Sequence, residues 1–233
     1  IDTVSHELRT PLTSIKGYTS TLIKFNDQLD ADTRIKSLKV IKQQSERLSR
    51  MVEDLLVIPD IESSLIRVMP EEINLKEIIE TCILFINQKD SRIFNFQIDE
   101  NLPGVYADPD RVEQIIINLL ENAVKYSYED SEISIKVKKS GNFAKISIHN
   151  FCETIPQHKL KTLFDKFTRL EDDLTRTTRG TGLGLFIVKG LVEAMNGTIQ
   201  LNSKDGFEVQ FTLPLFVNKE ENLLAGKSNE SEL

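Results

Sequence analysis

A heptad pattern of apolar residues constrains the fold of this chain more than any other feature of its sequence. The pattern lies in the second predicted helix, with successive spacings of 3, 4, 3, 4 and 3 between Leu38, Ile41, Ser45, Leu48, Val52 and Leu55. Such spacing is typical of a coiled coil or a helical bundle, in which the apolar seam faces another helix. Asp30 or Asp32 is the predicted cap of this helix, because a short acidic side chain accepts hydrogen bonds from the first backbone N–H groups.

A first helix precedes this one and runs from the start of the chain to about Lys24. It carries its own apolar stripe, formed by Val4, Leu8, Leu12, Ile15 and Leu22. A single hairpin of two such helices cannot bury both stripes, so the sequence predicts a homodimeric four-helix bundle. The alternative is a hairpin that packs against the rest of its own chain.

Helices and strands alternate after a linker that we predict between Pro59 and Pro70. Periodicity predicts helices over residues 78–86, 109–126 and 184–195, and strands over residues 94–98, 133–137, 144–148, 199–201 and 209–213. This order predicts an α/β sandwich with helices on one face of a mixed sheet. The predicted domains are residues 1–66, residues 67–217 and a polar, acidic tail over residues 218–233, which we expect to be disordered.

The composition excludes several classes of protein. With 39% apolar and 28% charged residues, the 233-residue chain resembles a folded globular protein, and its net charge of −7 argues against direct binding of nucleic acid. No apolar run reaches the roughly 18 to 20 residues of a membrane span. Cys82 and Cys152 are too isolated to predict a disulfide or a zinc site, so we expect a cytoplasmic location. Because the chain begins at Ile1 within a helix, we expect a piece of a longer protein, whose missing N-terminal part would make any membrane contact.

The first helix carries a candidate nucleophile. Residues 5–12 read Ser-His-Glu-Leu-Arg-Thr-Pro-Leu, and at about 100° per residue His6 points away from the apolar stripe toward water. Glu7 is suited to take a proton from one ring nitrogen and leave the other as a nucleophile. Thr10, one turn later, lies on the same side of the helix, where it would hold a water or a substrate oxygen. For the histidine alone, a plain surface residue is the competing interpretation.

The predicted helix over residues 109–126 carries a polar strip beside its apolar stripe. Asn118, Asn122 and Lys125 lie within about 60° of one another around the helix axis. Asparagine is a poor helix former, so two of them one turn apart indicate ligands. Their amide oxygens suit Mg²⁺ that shares the phosphates of a nucleotide, to which Lys125 adds a positive charge. The alternative is a set of polar residues at the edge of the core.

A glycine-rich loop opens directly into the last predicted helix at Gly180, Thr181, Gly182, Leu183 and Gly184. Glycine permits close backbone approach and positive φ, and the N–H groups at the start of a helix attract phosphate. An arginine-rich stretch precedes the loop, with Arg169, Arg176 and Arg179. It supplies a basic cluster that the net charge of the chain lacks.

These segments resemble the catalytic core of sensor histidine kinases, whose ATP-binding superfamily includes gyrase and the Hsp90-type chaperones. Residues 5–12 resemble the phosphoacceptor box at every position, residues 108–127 the N box, residues 164–169 the F box and residues 180–185 the second glycine box. The resemblance implies a dimeric four-helix bundle followed by an α/β sandwich of the histidine kinase/gyrase/Hsp90 ATPase type. It also implies Mg²⁺ and ATP as cofactors, and a homodimer and a response-regulator receiver domain as partners.

The resemblance further assigns roles to individual residues. Asn122 would ligate Mg²⁺ with help from Asn118, and residues 168–182 would form a lid over ATP. The other nucleotide-binding positions that it implies are Lys125, Tyr126, Asn150, Ile155, Phe167, Arg169, Arg176, Arg179, Gly180, Thr181, Gly182, Leu183 and Gly184. Where hydrolytic relatives carry a glutamate base this chain has Asn118, which favours phosphoryl transfer to a histidine over plain ATP hydrolysis.

One box departs from the family pattern. The usual sequence D-x-G-x-G-I before a proline is replaced at residues 150–156 by Asn-Phe-Cys-Glu-Thr-Ile-Pro. Asn150 stands where an aspartate would accept a hydrogen bond from adenine, and it lacks the charge that strengthens such bonds. Cys152 and Thr154 replace glycines, so we expect strain in this loop and weaker binding of ATP. A shift by one residue would place His149 at the aspartate position but would misplace Ile155 and Pro156.

The sequence therefore predicts an ATP-dependent, autophosphorylating protein histidine kinase core. The γ-phosphoryl group of ATP would pass to His6, with Glu7 as base, and then to an aspartate of a response regulator. By resemblance, Thr10 would help to position the water that dephosphorylates the regulator. The alternative is a signalling adaptor or phosphatase scaffold whose altered adenine loop no longer binds nucleotide. A third interpretation, a plain ATPase, is disfavoured by Asn118.

Overall fold

A computed structural model describes residues 2–25, 28–88, 92–168 and 181–216. Contacts divide these residues into two compact units. Of the described residues, the first unit contains those up to 66 and those between 161 and 187, and the second contains those between 67 and 160 and those from 188 to 216. The predicted tail over residues 218–233 lies outside the described residues.

Two long helices form an antiparallel hairpin in the first unit. Helix α1 spans Asp2–Phe25 and helix α2 spans Ala31–Glu62. Asp30 is the N-cap of α2, since its carboxylate accepts the backbone N–H of Thr33 at 2.7 Å. The prediction that the linker begins at Pro59 was wrong, because α2 continues to Glu62. Proline removes only its own N–H group from the helix, and the carbonyl of Pro59 still accepts the backbone N–H of the C-cap residue at 3.0 Å.

The two predicted apolar seams are only partly covered in this hairpin. Leu12 is 56% exposed, Leu38 52% and Val52 46%, whereas Met51 is buried. The transfer of apolar side chains out of water is favourable, by about 25 cal/mol per Å² of apolar surface that becomes buried. The seams therefore retain apolar surface that a further helix would cover.

A five-stranded mixed sheet forms the second unit, in the order β2-β4-β5-β7-β6. Its strands are β2 (Phe94–Ile98), β4 (Ile133–Ser140), β5 (Phe143–Asn150), β6 (Ile199–Asn202) and β7 (Phe207–Pro214). The pair β2 and β4 is parallel and the other pairs are antiparallel. Two short strands, β1 (Glu71–Ile73) and β3 (Val105–Ala107), form a separate antiparallel pair that the sequence analysis missed. Three residues are too few to show a period.

Helices cover one face of the main sheet. In the second unit they are α3 (Leu75–Asn87), α4 (Pro109–Tyr126) and the short α5 (Gln157–Leu160), and the remaining helical segments are a 3₁₀ turn at Lys161–Phe164 and α6 (Gly184–Ala194). Helix α4 packs on α3 and β5 through a buried stripe of Val112, Ile115, Ile116, Leu119, Leu120 and Ala123. The strands alternate between buried aliphatic residues and polar residues such as Ser134 and Lys136 on the open face. The predicted sandwich is therefore confirmed.

Local sequence explains where α4 and α6 begin and end. Asp108 caps α4, with its carboxylate accepting the N–H of Arg111 at 3.2 Å and that of Met69 at 2.8 Å. Helix α6 ends before Asn196, whose φ is +58°, and the N–H of Gly197 returns to the carbonyl of Val192 at 2.9 Å. This left-handed termination confirms the end predicted for that helix. In the described part of the chain, no helix is long and apolar enough to cross a membrane.

Candidate active site

His6 and Glu7 face different surroundings on α1. His6 is exposed, whereas Glu7 is 8% exposed and its carboxylate contacts the guanidinium of Arg47 on α2 at 3.2 Å. Adjacent residues of a helix point about 100° apart, so an outward histidine leaves its neighbour turned toward α2. The hydroxyl of Thr10 donates to the backbone carbonyl of His6 at 3.2 Å, which leaves its oxygen lone pairs able to accept a further hydrogen bond.

Arg47 is a residue that the sequence analysis missed. It lies 40 residues from Glu7 along the chain and comes directly before a position of the heptad seam. The Arg47 side chain is 23% exposed and the Glu7 side chain 11%. A charge-assisted hydrogen bond at this depth fixes the carboxylate more firmly than a surface ion pair would. Only the long-range pairing of α1 with α2 reveals it.

The polar strip on α4 has the arrangement that its spacing predicts. Asn118, Asn122 and Lys125 are half-buried beside the apolar stripe. The Asn118 amide donates to the backbone carbonyl of Gln114 at 3.1 Å, and the Asn122 side chain makes no hydrogen bond within the described residues. Two amide oxygens at the edge of the core fit Mg²⁺, which takes few protein ligands and keeps several waters.

Lys125 and Tyr126 form a pair at the end of α4. The Lys125 ammonium donates to the Tyr126 hydroxyl at 2.8 Å and lies 4.5 Å from the centre of its ring. Tyr126 is 48% exposed. The pair therefore presents a cation and an aromatic face together, a combination suited to phosphate and base. In the described residues, no cluster of three or more His, Cys, Asp or Glu side chains forms a competing metal site.

The loop that follows β5 is held at both ends. Next to its start, the backbone carbonyl of Phe151 accepts the N–H of Tyr128, which follows α4, at 2.9 Å. Near its end, the N–H of Ile155 donates to the hydroxyl of Ser203 at 2.8 Å, and that hydroxyl donates to the carbonyl of Gly206 at 2.6 Å. Ser203 is 5% exposed. The sequence analysis missed this serine, because its partner lies 48 residues away in the chain.

The strain expected in this loop is absent, and that expectation was wrong. Among the described residues, the non-glycine positions with positive φ are Ser64, Phe167 and Asn196. Cys152 and Thr154 therefore occupy ordinary backbone regions, because the loop follows a path that side chains tolerate. Burial raises the pKa of the Cys152 thiol, so this cysteine is a weaker nucleophile than a free one.

Strain lies instead where the F box meets the glycine loop. Phe167 has a φ of +63° and donates its N–H to the carbonyl of Gly182, whose φ is +69°. A Cβ on Gly182 would lie 2.8 Å from the carbonyl carbon of Phe167. Thr181 accepts the N–H of buried Leu183 at 3.3 Å, and Gly184 opens α6. The other predicted members of this segment, Arg169, Arg176, Arg179 and Gly180, lie outside the described residues.

The register of β5 separates His149 from Asn150. The His149 ring lies on the open face of the sheet, 3.0 Å from the carbonyl oxygen of Asp205. Asn150 is 2% exposed and shares the inward register of Ile146 and Ile148. When the chain is aligned with the family pattern without a one-residue shift, the loop therefore starts at the buried amide of Asn150 and not at the imidazole of His149.

Two family models match the chain, the first over the helical hairpin and the second over the α/β region. Residues 1–64 match the His Kinase A (phospho-acceptor) domain. Residues 107–217 match the family described as Histidine kinase-, DNA gyrase B-, and HSP90-like ATPase. The chain belongs to the sensor histidine kinases. In this kinase core, His6 falls in the first match and the Asn118–Asn122 strip in the second.

Relatives and solved structures agree with this assignment. The kinase core is 36% identical over 223 residues to the sensor protein kinase WalK of Staphylococcus aureus, a match that covers 91% of this chain. It spans 35% to 52% of the length of the WalK proteins it matches. The solved histidine kinase AdeS of Acinetobacter baumannii is 25% identical with a TM-score of 0.68, over 91% of this chain and 98% of that one.

A second solved structure shows a kinase with a partner. Histidine kinase ThkA, in complex with the response regulator protein TrrA, is 26% identical to this kinase core with a TM-score of 0.62. The match covers 91% of this chain and 60% of that one. The two predicted regions of the chain, helical hairpin and ATPase-type sheet, therefore occur together in kinases of this family.

Proposed function

We propose that this kinase core phosphorylates itself on His6 with the γ-phosphoryl group of ATP and then passes that group to an aspartate of a response regulator. The observation that carries the proposal is the exposure of His6 on α1, within the stretch that matches the phospho-acceptor domain. In its neutral form an imidazole carries a lone pair on one ring nitrogen, and that nitrogen is the nucleophile.

The transfer step balances without any further reactant. A ring nitrogen of His6 forms a bond to the γ-phosphorus, while the bond from that phosphorus to the β–γ bridging oxygen breaks and its electron pair leaves with ADP. The other ring nitrogen gives up its proton to a base, for which we propose Glu7. Because the Glu7 carboxylate contacts Arg47, its turn toward the ring requires it to loosen that ion pair.

Asn122 and Asn118 would hold Mg²⁺ through their amide oxygens. The ion would neutralise charge on the phosphates of bound ATP. Lys125, next to Tyr126, adds a fixed positive charge for the same phosphates. Use of ATP is supported by the ATPase-family match over residues 107–217, and a location in the cytoplasm, where ATP is abundant, belongs to the same proposal.

Two partners complete the proposed function. The first is a second copy of the chain, whose hairpin would cover the exposed seam residues Leu12, Leu38 and Val52. The second is a response-regulator receiver domain, a proposal supported by the complex of ThkA with TrrA. Thr10 would then help to position water for removal of the phosphoryl group from the regulator, because its hydroxyl retains lone pairs beside His6.

The relatives do not support the alternative of a signalling adaptor that has lost nucleotide binding. WalK and AdeS are named as kinases, and the loop after β5 is free of the backbone strain that motivated the alternative. We therefore retain the kinase as the single proposed function.

The test is incubation of the kinase core with Mg²⁺ and γ-labelled ATP. We expect an acid-labile label on the wild type that His6→Gln abolishes. His158→Gln is the matched control, because His158 is also exposed but lies on α5, and it should label like the wild type. A label that survives in His6→Gln, or no label in the wild type at millimolar ATP, would refute the proposal. Rapid release of free phosphate by His6→Gln would indicate a plain ATPase instead.

A further inference from the structure

Asn150 is a polar residue at a core position of the sheet. It is the last residue of β5, whose inward positions are Ala144, Ile146, Ile148 and Asn150 itself. It is 2% exposed and pairs in register with buried Ile133 of β4. A side chain at this register would ordinarily be aliphatic. The amide is therefore there for a reason other than packing.

The amide nitrogen of Asn150 is buried and has no hydrogen-bond partner among the described residues. Buried donors are almost always paired, and an exception calls for an explanation such as a ligand that supplies the acceptor. One candidate acceptor is the Cys152 sulfur: burial raises the pKa of that thiol, and the Asn150 amide partly offsets the rise. Sulfur is a weak acceptor, so the donor remains available to a better one.

The surroundings of Asn150 belong to the proposed nucleotide site. The carbonyl of Phe151, the next residue, accepts the N–H of Tyr128, so the end of β5 is tied to the segment that follows α4. That helix ends with Lys125 and Tyr126, the cation and aromatic ring that we assign to the nucleotide. The orphaned donor and these groups therefore occupy adjoining parts of one unit.

A purine ring can offer the hydrogen-bond acceptor that the Asn150 amide nitrogen lacks. Adenine presents an amino donor beside a ring-nitrogen acceptor, and guanine presents a carbonyl acceptor beside a ring N–H donor. An amide carries one acceptor and two donors and can turn by 180° about its terminal bond. It pairs with either edge through two parallel hydrogen bonds, whereas a carboxylate offers acceptors alone and repels the 6-oxo group of guanine.

We propose that Asn150 reads the base of the bound nucleotide as donor and acceptor together, so that the site takes 6-oxopurine nucleotides, those of guanine and hypoxanthine, alongside adenine nucleotides. This deepens the proposed function and rests on its nucleotide site. Asn150 is then the residue that sets base selectivity.

The experiment is calorimetric titration of the intact kinase core with Mg·ADP, Mg·GDP and Mg·IDP. We expect the wild type to bind the three with dissociation constants within about 10-fold of one another. Asn150→Asp should raise the ratio of the GDP to the ADP constant by on the order of 30-fold, because an acceptor then faces the 6-oxo group. Asn142→Asp is the matched control: it adds the same charge at an exposed turn position and should leave the ratio unchanged.

The outcomes separate this proposal from the proposed function. A wild type that binds ADP more than about 100-fold tighter than both GDP and IDP overturns the base-selectivity proposal, while labelling of His6 by ATP would still stand. The base-selectivity proposal is also overturned if the ratio of the GDP to the ADP dissociation constant is the same in the wild type and in Asn150→Asp. If the wild type binds none of the three nucleotides, both proposals fall. Because the dissociation constants of the wild type are enough to overturn the base-selectivity proposal, its test does not depend on the folding of the variant.

Discussion

Substitution of Ser203 tests directly how the loop after β5 is held in place. The Ser203 hydroxyl accepts the N–H of Ile155 at 2.8 Å and donates to the carbonyl of Gly206 at 2.6 Å. Because Ser203 is 5% exposed, Ser203→Ala would leave two backbone groups without this partner. Each buried group that loses its partner costs about 1–3 kcal/mol. Ile155 is only half-buried, so water will satisfy part of the loss, and we expect the free energy of unfolding to fall by about 3 kcal/mol.

The assay is urea unfolding followed by far-ultraviolet circular dichroism, with the slope m checked for constancy. Ser131→Ala is the control, because Ser131 donates a single hydrogen bond to the carbonyl of Tyr128 in an exposed turn and should lose no more than about 1 kcal/mol. Ser203→Thr keeps the hydroxyl and should retain most of the stability.

Ser203→Ala should also weaken the binding of Mg·ADP about 10-fold, since Ile155 belongs to the proposed nucleotide site and its loop must then be ordered on binding. Equal losses of stability in Ser203→Ala and Ser131→Ala would refute the reasoning, because they would mean that the two buried hydrogen bonds contribute no more than one exposed bond.

Three further perturbations test other parts of the structure. Gly182→Ala should reduce labelling of His6 at least 10-fold, because a Cβ at φ +69° would meet the Phe167 backbone at 2.8–2.9 Å; Gly17→Ala, which meets nothing within 4 Å, should not. Burial raises the pKa of Cys82 from 9.0 to about 12, so the unfolded state loses this proton at a lower pH than the folded state. The stabilisation by the neutral thiol is therefore fully present below pH 9 and is lost as the pH rises from 9 toward 12. In urea titrations over that range, the free energy of unfolding of the wild type should fall by about 1.4 kcal/mol per pH unit more than that of Cys82→Val. The N–H and hydroxyl of Thr33 lower the pKa of Asp30 below 3.8, so its stabilisation is present above that pH and is lost on acidification. Asp30→Ala should lower the melting temperature at pH 7, and exposed Asp32→Ala should leave it unchanged.

Long periodic segments were predictable because their burial repeats with the period of the backbone. The stripe of α4 and the alternation of β4 and β5 follow directly from residue types, since one face of each element must leave water. Helix ends were predictable where a capping residue stands next to a turn residue, as at Asn196 and Gly197. At Pro59 the same reasoning failed, because a proline near the end of a helix removes one hydrogen bond without ending the helix.

Contacts between distant segments were beyond prediction from the sequence. Arg47 and Ser203 gain their roles only when the chain brings them to Glu7 and Ile155, 40 and 48 residues away. The path of the loop after β5 was also misjudged. Glycine in a family pattern permits positive φ without requiring it, and this chain reaches Ile155 by a path on which Cys152 carries a side chain without strain.

In our proposal, function and stability make opposite demands at Asn150. An orphaned buried donor costs about 1–3 kcal/mol, so Asn150→Leu, which places an aliphatic side chain with the same branching of heavy atoms in an inward register shared with Ile146 and Ile148, should raise the free energy of unfolding by about 1 kcal/mol. The same change removes donor and acceptor from the proposed base site, and binding of Mg·ADP should become undetectable at micromolar concentrations. Urea unfolding and calorimetry on one preparation measure both. A variant that is as destabilised as Ser203→Ala would mean that the amide is satisfied in solution and stabilises the fold. A variant that is more stable and still binds ADP would remove Asn150 from the site.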